Sequence, residues 1–576
     1  MKKAVICGCL LLLIAVCASS SFAQYKQTVI NKTTMVQNAG GLVPLKRLDK
    51  HRITVITAFP RKYAAFVDML QRYADIESFD FNRYEERTKY SNTIIVAGTP
   101  EDLRNDLLLL VKQSMVHNKQ VILVRFEKKP TAASWSPTRL DGRFSELIYP
   151  EFNEEAQQYA AMSVFGGLAV TQGQFKTEQT RMQYATSSSC GLDLEGMTKK
   201  IDAIAAEAIH TRATPGMVVM AVKDGQVIID KAYGTHTYGG IVQTKTSDIF
   251  DLASISKIAG TTPVIMHLQE RDIIQLDSTM GCYLGQVQET NKKDITLRTV
   301  LLHEAGFTPF IPFYRNLKLG DLLHKPDAAH QVRVADKAYL RNNYYRDVMW
   351  PQMMQSPVKP VGNYVYSDIS MYVMKEIAEH MTATPMEEYV QELLYKPIGM
   401  KTAGYNPRKR FAKEQIVPTQ QDTVFRKELL QGYVHDEGAA MAGGVAGHAG
   451  LFATANDLAI YGQLLLNRGE YGGIQYFKPE TVDLFTSKQS LTSRRGLGFD
   501  RADPDTANAY PSKGANESVY GHTGYTGTCI WIDPKDQLIY IFLSNRVHPQ
   551  VSTRLYDLNI RSRIQDVIYS EIFIKR

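Results

Sequence analysis

A run of small polar residues, Ala185-Thr186-Ser187-Ser188-Ser189-Cys190-Gly191, divides the chain into two stretches that repeat with different periods. Before it, short β-rich apolar runs alternate with amphipathic helical ones. After it, a helical segment leads into a β-hairpin signal and then into a largely helical stretch. A chain of 576 residues also exceeds what one hydrophobic core usually organises. Linker composition between two patterns therefore predicts two domains.

In the first stretch Ile53-Thr54-Val55-Ile56 reads as a strand and is followed by an amphipathic helix near Tyr63 to Tyr73. Asn92 to Gly98 and Gln120 to Phe126 are β-rich and flank a helical segment from Glu101 to His117, and another helix spans Asn153 to Val164. Such alternation predicts an α/β sandwich built on a small parallel sheet. The wording from Asn31 to Leu45, with Gln37-Asn38-Ala39-Gly40-Gly41-Leu42-Val43-Pro44-Leu45 at its centre, resembles the opening of the C-terminal α/β domain of family-3 glycoside hydrolases. The likeness covers roughly residues 30 to 170. Those enzymes keep their catalytic aspartate in a preceding barrel, which this chain has no room for, so the resemblance implies a remnant without glycosidase chemistry.

The second stretch opens with a helix from Leu192 to His210. Gly216 to Val222 and Gln226 to Ile229 then flank Lys223-Asp224-Gly225, and Asp-Gly between β-branched runs is a strong hairpin signal, since glycine supplies the positive φ of a tight turn. The expected architecture is α+β, an antiparallel sheet flanked by helices with an all-helical lobe. The expected boundaries are 24–182 for the first domain, 183–192 for the linker and 193–576 for the second.

Residues 1–23 carry Lys2 and Lys3, an apolar stretch from Ala4 to Ala18, and Ser19-Ser20-Ser21-Phe22-Ala23. That is the pattern of a secretory signal cleaved after Ala23. A lipid-anchored alternative through Cys17 is disfavoured by the bulk of Val16, where such a site wants a small residue. No later apolar run approaches the roughly 20 residues a membrane span needs, so an exported chain, periplasmic or secreted, is expected. A net charge of +7, dispersed among mixed signs, excludes a nucleic-acid partner. Cys190, Cys282 and Cys529 lie too far apart for a disulfide framework and read as buried free thiols. His303, His435, His448 and His522 lack paired ligands at helical spacing. Neither metal nor cofactor is expected.

Three segments carry chemistry. Ser254-Ile255-Ser256-Lys257 opens a stretch of helix formers, and residues three apart on a helix share a face. A serine hydroxyl is a poor nucleophile until a neighbouring base takes its proton. A lysine serves as that base only when desolvation or positive charge favours its neutral form. Alone, the motif is better explained by a capping serine and a solvated lysine. Tyr364-Val365-Tyr366-Ser367-Asp368 stands just before a helical run, Ile369 to Met381. The Tyr366 phenol suits a proton shuttle beside a cation, while a buried aromatic with Asp368 as helix cap is the structural alternative. Gly521-His522-Thr523-Gly524-Tyr525-Thr526-Gly527-Thr528 precedes a strand, Cys529 to Ile532. Glycines there let backbone approach a substrate, and a strand edge offers N–H groups to a developing oxyanion.

In the order S-x-x-K, Y-x-(N/D), (K/H)-T-G at domain-sized spacing, the three segments resemble the penicillin-recognising serine hydrolases, which include class C β-lactamases, D-alanyl-D-alanine peptidases, esterases and amidases. The likeness spans roughly residues 195 to 575. Leu301-Leu302-His303-Glu304-Ala305-Gly306-Phe307 and the loop Gly443 to Phe452 add to it. The resemblance implies that Ser254 is acylated, that Lys257 and Tyr366 share general acid/base duty, and that the N–H groups of Ser254 and Tyr525 form an oxyanion hole. It implies substrate contacts for His522, Thr523, Gly524 and Asp368. Glu437 is a further contact candidate, although a charged turn explains it as well. Two residues depart from the class C pattern, Asp368 for asparagine and His522 for lysine, and both changes weaken the hold on a β-lactam. Expected is hydrolysis of an amide or ester in cell-wall muropeptides through an acyl-enzyme. A penicillin- or peptidoglycan-binding module that does not turn over is the alternative, as is a β-lactamase or esterase with small-molecule substrates.

Overall fold

The computed structural model describes residues 32–80, 88–103, 105–128, 142–184 and 192–573. The expected signal segment with its cleavage point, and most of the expected linker with Cys190, lie outside the described residues.

The first layer is a seven-stranded sheet, larger than expected. Its strands are β1 (Thr34–Gln37), β2 (Ile53–Thr57), β3 (Ile76–Asp80), β4 (Thr93–Gly98), β5 (Gln120–Phe126), β6 (Phe144–Tyr149) and β7 (Gln172–Gly173), in the order β3-β2-β4-β5-β6-β1-β7. All neighbours run parallel except β1 against β6. The helices are α1 (Ala64–Tyr73), α2 (Asn105–Val116) and α3 (Glu154–Phe165). The central strands are buried on both faces, which is why they read as continuous apolar runs rather than alternating ones. One face meets Leu110 and Val111 of α2, and the other lies under α1 and α3. Sequence periodicity missed β3 and β6. β3 is half-exposed and carries polar residues throughout, and Phe144-Ser145-Glu146 breaks the apolar signal of β6.

The second sheet also has seven strands: β8 (Gln183–Tyr184), β9 (Gly216–Lys223), β10 (Gln226–Gly234), β11 (Asp500–Arg501), β12 (Tyr520–Thr523), β13 (Cys529–Asp533) and β14 (Leu538–Ser544). The order is β11-β12-β13-β14-β9-β10-β8, antiparallel except at β8. β9 and β10 form the expected hairpin through Asp224 and Gly225, both at positive φ. α4 (Leu194–His210) packs on its outer face, together with a helix from Ile560 to Phe573. The inner face packs on the helical lobe, which includes α5 (Thr262–Glu270), α6 (Ile369–Thr382) and α7 (Ala455–Leu466).

One apolar cluster runs from Met35 and Tyr73 of the first layer to Ile539 and Leu543 of the second sheet. The layers are also tied by polar contacts. The Arg72–Asp230 ion pair closes at 2.7 Å, Gly472 N donates to the Thr180 carbonyl at 2.8 Å, Asn456 Nδ2 donates to the Arg72 carbonyl at 3.4 Å, and Lys401 bonds the Gln71 carbonyl. Gly399 takes φ 89°, and a Cβ there would stand 2.6 Å from the Tyr73 carbonyl oxygen. Cys529 is a buried free thiol as expected, but Cys282 is exposed, because its short helical turn lies on the surface. No helix among the described residues is long and apolar enough to cross a membrane.

Candidate active site

Ser254 lies in the turn between a two-residue strand, Phe250–Asp251, and a π-turn, Lys257–Thr261, that feeds α5. Pro263 has no N–H to offer the carbonyl four residues back, and the Tyr395 hydroxyl bonds that Ala259 oxygen instead, at 2.6 Å. Tyr461 likewise holds the Ile258 carbonyl. The residue before the serine, Ala253, sits at φ 48°, a left-handed conformation that costs a residue with a Cβ about 1 kcal/mol. Its surroundings hold it there. Asp251 Oδ1 accepts from Ala253 N at 2.9 Å, and the hydroxyls of Thr526 and Thr528 bond the carbonyls of Asp251 and Leu252 at 2.8 and 3.1 Å. Burial pushes the Asp251 carboxyl up to about 6, against the lowering pull of the His435 and Ala253 N–H groups.

The buried Lys257 ammonium makes three bonds: to Ser254 Oγ at 2.9 Å, Asp368 Oδ1 at 2.9 Å and the His448 carbonyl at 3.4 Å. Three acceptors match the three donors of a charged ammonium. Burial opposes that charge, but Asp368 and Tyr366 outweigh it and hold Lys257 above the ordinary lysine value. Asp368 stands at the N-cap of α6, yet its carboxylate makes no cap bond and is directed at Lys257 instead. From the other side Tyr366 donates to Ser254 Oγ at 3.2 Å. Lys257 Nζ is 4.9 Å from its ring centroid and Arg495 Cζ 5.4 Å.

The glycine-rich segment closes the third side. β12 ends at Thr523, and a Cβ on Gly524 would stand 2.1 Å from Thr528 Oγ1 and 2.5 Å from the Leu252 carbonyl oxygen. Only glycine lets this turn touch the nucleophile's segment. Tyr525 is half-exposed, its ring 5.3 Å from that of His435 and 4.8 Å from Arg546 Cζ. His522 is buried and uncharged. Its Nδ1 faces the Thr523 carbonyl at 2.7 Å and is a donor, while Nε2 faces Arg495 Nη1 at 3.4 Å and must accept. Burial, reinforced by Arg495 and Lys257, pushes it down to about 3. His303 Nδ1 accepts from Ser367 N at 3.3 Å, and burial holds that ring well below the ordinary histidine value.

Ser254, Lys257, Tyr366, Asp368, His522 and Gly524 are thus brought together from three distant segments. Sequence spacing missed two features. Arg495 is buried behind His522, donates to the Tyr364 hydroxyl at 2.9 Å and faces Asp500 at 3.7 Å. Nothing in its local sequence marks it. Asp436 and His448 pair at 3.0 Å behind Asp368, and the Gly443–Phe452 loop that carries His448 is visible in sequence although its contact is not. Asp368, Asp436 and His448 bring ligand-capable atoms within 4.8 Å of one another, but their charges are already matched by Lys257 and by the imidazole itself. A cavity of about 330 Å³ opens beside Tyr364, between Lys488, Arg494 and Arg495 on one side and Asp503 on the other.

The beta-lactamase family model matches residues 201–563. This chain belongs to the beta-lactamase family. Within that family, it is 32% identical over 364 residues to a protein of Escherichia coli (strain K12) provisionally named a D-alanyl-D-alanine carboxypeptidase, covering 59% of this chain and 80% of that one. A similarly named protein of Salmonella typhimurium is 30% identical over 373 residues, 60% of this chain and 82% of that one. Among solved structures, a penicillin-binding protein homologue from Caulobacter crescentus aligns at a TM-score of 0.48 and 16% identity, over 65% of this chain and 97% of that one. So distant a superposition adds nothing to the family assignment. The beta-lactamase match begins within α4 and takes in every side chain converging on Ser254. The chain is a serine hydrolase by family.

Proposed function

We propose that this chain hydrolyses an amide or ester in cell-wall muropeptides through an acyl-enzyme on Ser254. One observation carries the reading: Ser254 Oγ is contacted at once by the Lys257 ammonium at 2.9 Å and the Tyr366 phenol at 3.2 Å. Lys257 keeps its charge and orients the hydroxyl. Tyr366 is then the proton carrier. In the reacting form it is a phenolate facing the Lys257 ammonium: it takes the serine proton as Oγ attacks the carbonyl, gives that proton to the leaving group, takes one from water in deacylation and returns it to Ser254 Oγ as the acyl group leaves. The N–H groups of Ser254 and Tyr525 receive the oxyanion. Asp368 serves through Lys257 rather than on the substrate, and His522, buried with both ring nitrogens engaged by the Thr523 carbonyl and Arg495, holds the turn at Thr523 rather than placing a charge on the substrate.

Three observations support a muropeptide over a β-lactam. The relatives' provisional names are those of peptidases. The cavity beside Tyr364 sets Lys488, Arg494 and Arg495 within reach of an extended substrate bearing carboxylates. The sequence of residues 1–23 supports export to where such substrates lie. In this reading residues 24–182 form an adaptor layer derived from a glycosidase, separated at 183–192 from the hydrolase at 193–576. Gln183 and Tyr184 pair with β10, so the first two residues of that stretch belong to the second sheet and the passage between layers falls just before them.

Mass spectrometry of purified muropeptides incubated with wild type and with Ser254→Ala tests the proposal. A product mass lower by one amino acid or by the stem peptide, absent with Ser254→Ala, is the expected result. Unchanged muropeptides with both proteins would reject the substrate. Labelling by fluorescent penicillin with no peptide release would favour a binding module.

A further inference from the structure

Behind the Lys257–Asp368 pair lies a second buried pair that the proposed mechanism does not use. Gly447 at φ 73° and Gly450 at φ 109° let the loop press into the lobe. A Cβ at Gly447 would stand 2.2 Å from the Met371 carbonyl oxygen, and one at Gly450 would stand 2.1 Å from that of Gly444. Thr261 Oγ1 pins the Gly447 carbonyl at 2.7 Å, so His448 follows in a fixed position. Its carbonyl accepts from Lys257, while its ring lies 4.6 Å from that of Tyr372.

Both ring nitrogens of His448 face acceptors. Nε2 meets Asp436 Oδ1 at 3.0 Å and Nδ1 meets the Ala446 carbonyl at 3.2 Å. A neutral imidazole donates from only one nitrogen, so this geometry calls for the imidazolium. Burial opposes the charge, but Asp436 and then Asp368 outweigh it and raise His448 above the ordinary histidine value. Asp436 is itself anchored, since the same Oδ1 accepts Ala439 N at 2.7 Å and caps a short helix. Asp368 and Asp436 would otherwise be two carboxylates within 4.8 Å, which cannot both stay ionised cheaply. The Tyr372 hydroxyl is buried without a partner and stands where a Cβ on Gly438 would meet it at 2.6 Å. It lines the same small cavity as Asp368, Asp436 and His448, with Phe310, Ile311 and Phe313 beside them; the His448 ring is buried there, while the two carboxylates are 22% and 23% exposed.

We propose that His448, held by Asp436, is a positioning residue whose buried positive charge keeps the Lys257–Asp368 ion pair intact behind Ser254. It rests on the acyl-enzyme reading. The groups facing His448 are Asp436, Asp368, Lys257 and Tyr372, with His435 and Glu437 flanking Asp436. Those facing Lys257 are Ser254, Tyr366 and Asp368, with His303 and His522 within its field. Removing the imidazolium leaves two carboxylates to share one ammonium, so the carboxylate pair takes up a proton at higher pH and Lys257 loses its anchor.

The test is the pH dependence of p-nitrophenyl acetate hydrolysis by wild type, His448→Gln and Ser254→Ala. In His448→Gln the acid limb of kcat/KM moves up by about one pH unit. The rate is then about tenfold lower on that limb and recovers as pH rises, with KM unchanged. A profile superimposable on wild type, or one lowered equally at every pH, overturns the proposal. Should the variant fail to fold, neutron diffraction from wild-type crystals near pD 7.5 decides. Deuterium on both His448 nitrogens is expected, and deuterium on one overturns it. Wild-type rates persisting in Ser254→Ala would instead sink the acyl-enzyme reading, an outcome separate from either His448 result.

Discussion

The buried Lys257 ammonium and the partly exposed Asp368 carboxylate stand 2.9 Å apart, directly behind the Ser254 hydroxyl. Lysine is held above its ordinary value by this contact, so the pair contributes stability that is fully present below the unfolded lysine's pKa and is lost as pH rises through the folded one.

Asp368→Asn reverses that sign. Without the counter-charge, burial dominates and draws the lysine down, leaving an uncompensated buried ammonium at neutral pH. We expect a loss of about 3 kcal/mol in urea denaturation at pH 7. The basic limb of the rate profile should move to lower pH, because the ammonium that orients Ser254 is lost sooner. A basic limb that stays in place would contradict the role given to Asp368.

Gly524→Ala should damage rate more than folding. Its Cβ would collide with Thr528 Oγ1 and the Leu252 carbonyl oxygen, forcing the turn off the segment that carries Ser254. A displacement near 1 Å costs about 10²-fold, so kcat/KM should fall by roughly that factor while circular dichroism shows a folded protein. Unchanged kinetics would mean the turn is not what positions the nucleophile.

Acid should destabilise the protein through its buried histidines, even though Asp251, pushed up to about 6 by burial, takes up a proton in the same range and offsets part of the loss. His303, His435 and His522 are all depressed, His435 to about 4 and His522 to about 3, chiefly by burial with Arg426 or Arg495 adding to it. Each contributes stability present above the unfolded histidine value and lost as pH falls below it, at up to about 1.4 kcal/mol per pH unit. His448, raised, acts in the opposite sense and offsets part of one such loss. Unfolding free energy should therefore fall between pH 6.5 and 5; a flat or rising value there would refute the neutral assignments.

The first layer should not melt apart from the hydrolase. Arg72, through Asp230 and Asn456, and the Thr180 carbonyl, through Gly472 N, tie them, and the apolar cluster is shared. Calorimetry should show one transition. Gly399→Ala, which combines positive φ with a 2.6 Å approach to the Tyr73 carbonyl, should lower it as a whole, by about 2 kcal/mol. Two separated transitions in wild type would show that the layers unfold independently.

Much of the fold was legible because burial leaves periodic traces. The hairpin at Asp224-Gly225 and the helices of residues 194–210 and 369–382 lie close to where pattern places them. β3 and β6 were not legible: β3 is a partly exposed edge strand of mixed polarity, and Ser145 and Glu146 of β6 find Asn38 and Arg125 only in the finished sheet. At the site, the serine, lysine and tyrosine motifs announce themselves by residue type and spacing, whereas Arg495 and the Asp436–His448 pair have no local signature.

By itself, then, the amino-acid order determined which groups are available: a hydroxyl, an amine and a phenol in sequence order, and glycines where backbone must come close. What only the tertiary structure decided is their charge. Protonation depends on which acceptors and counter-charges surround a group, and those are set by how the chain folds, from two positions away for His448 and Ala446 to 111 for Lys257 and Asp368. Lys257 is cationic because Asp368 reaches it, His522 neutral because Arg495 does, and His448 charged because both its nitrogens meet acceptors. Low local dielectric makes each of those choices strong, and no local pattern encodes them.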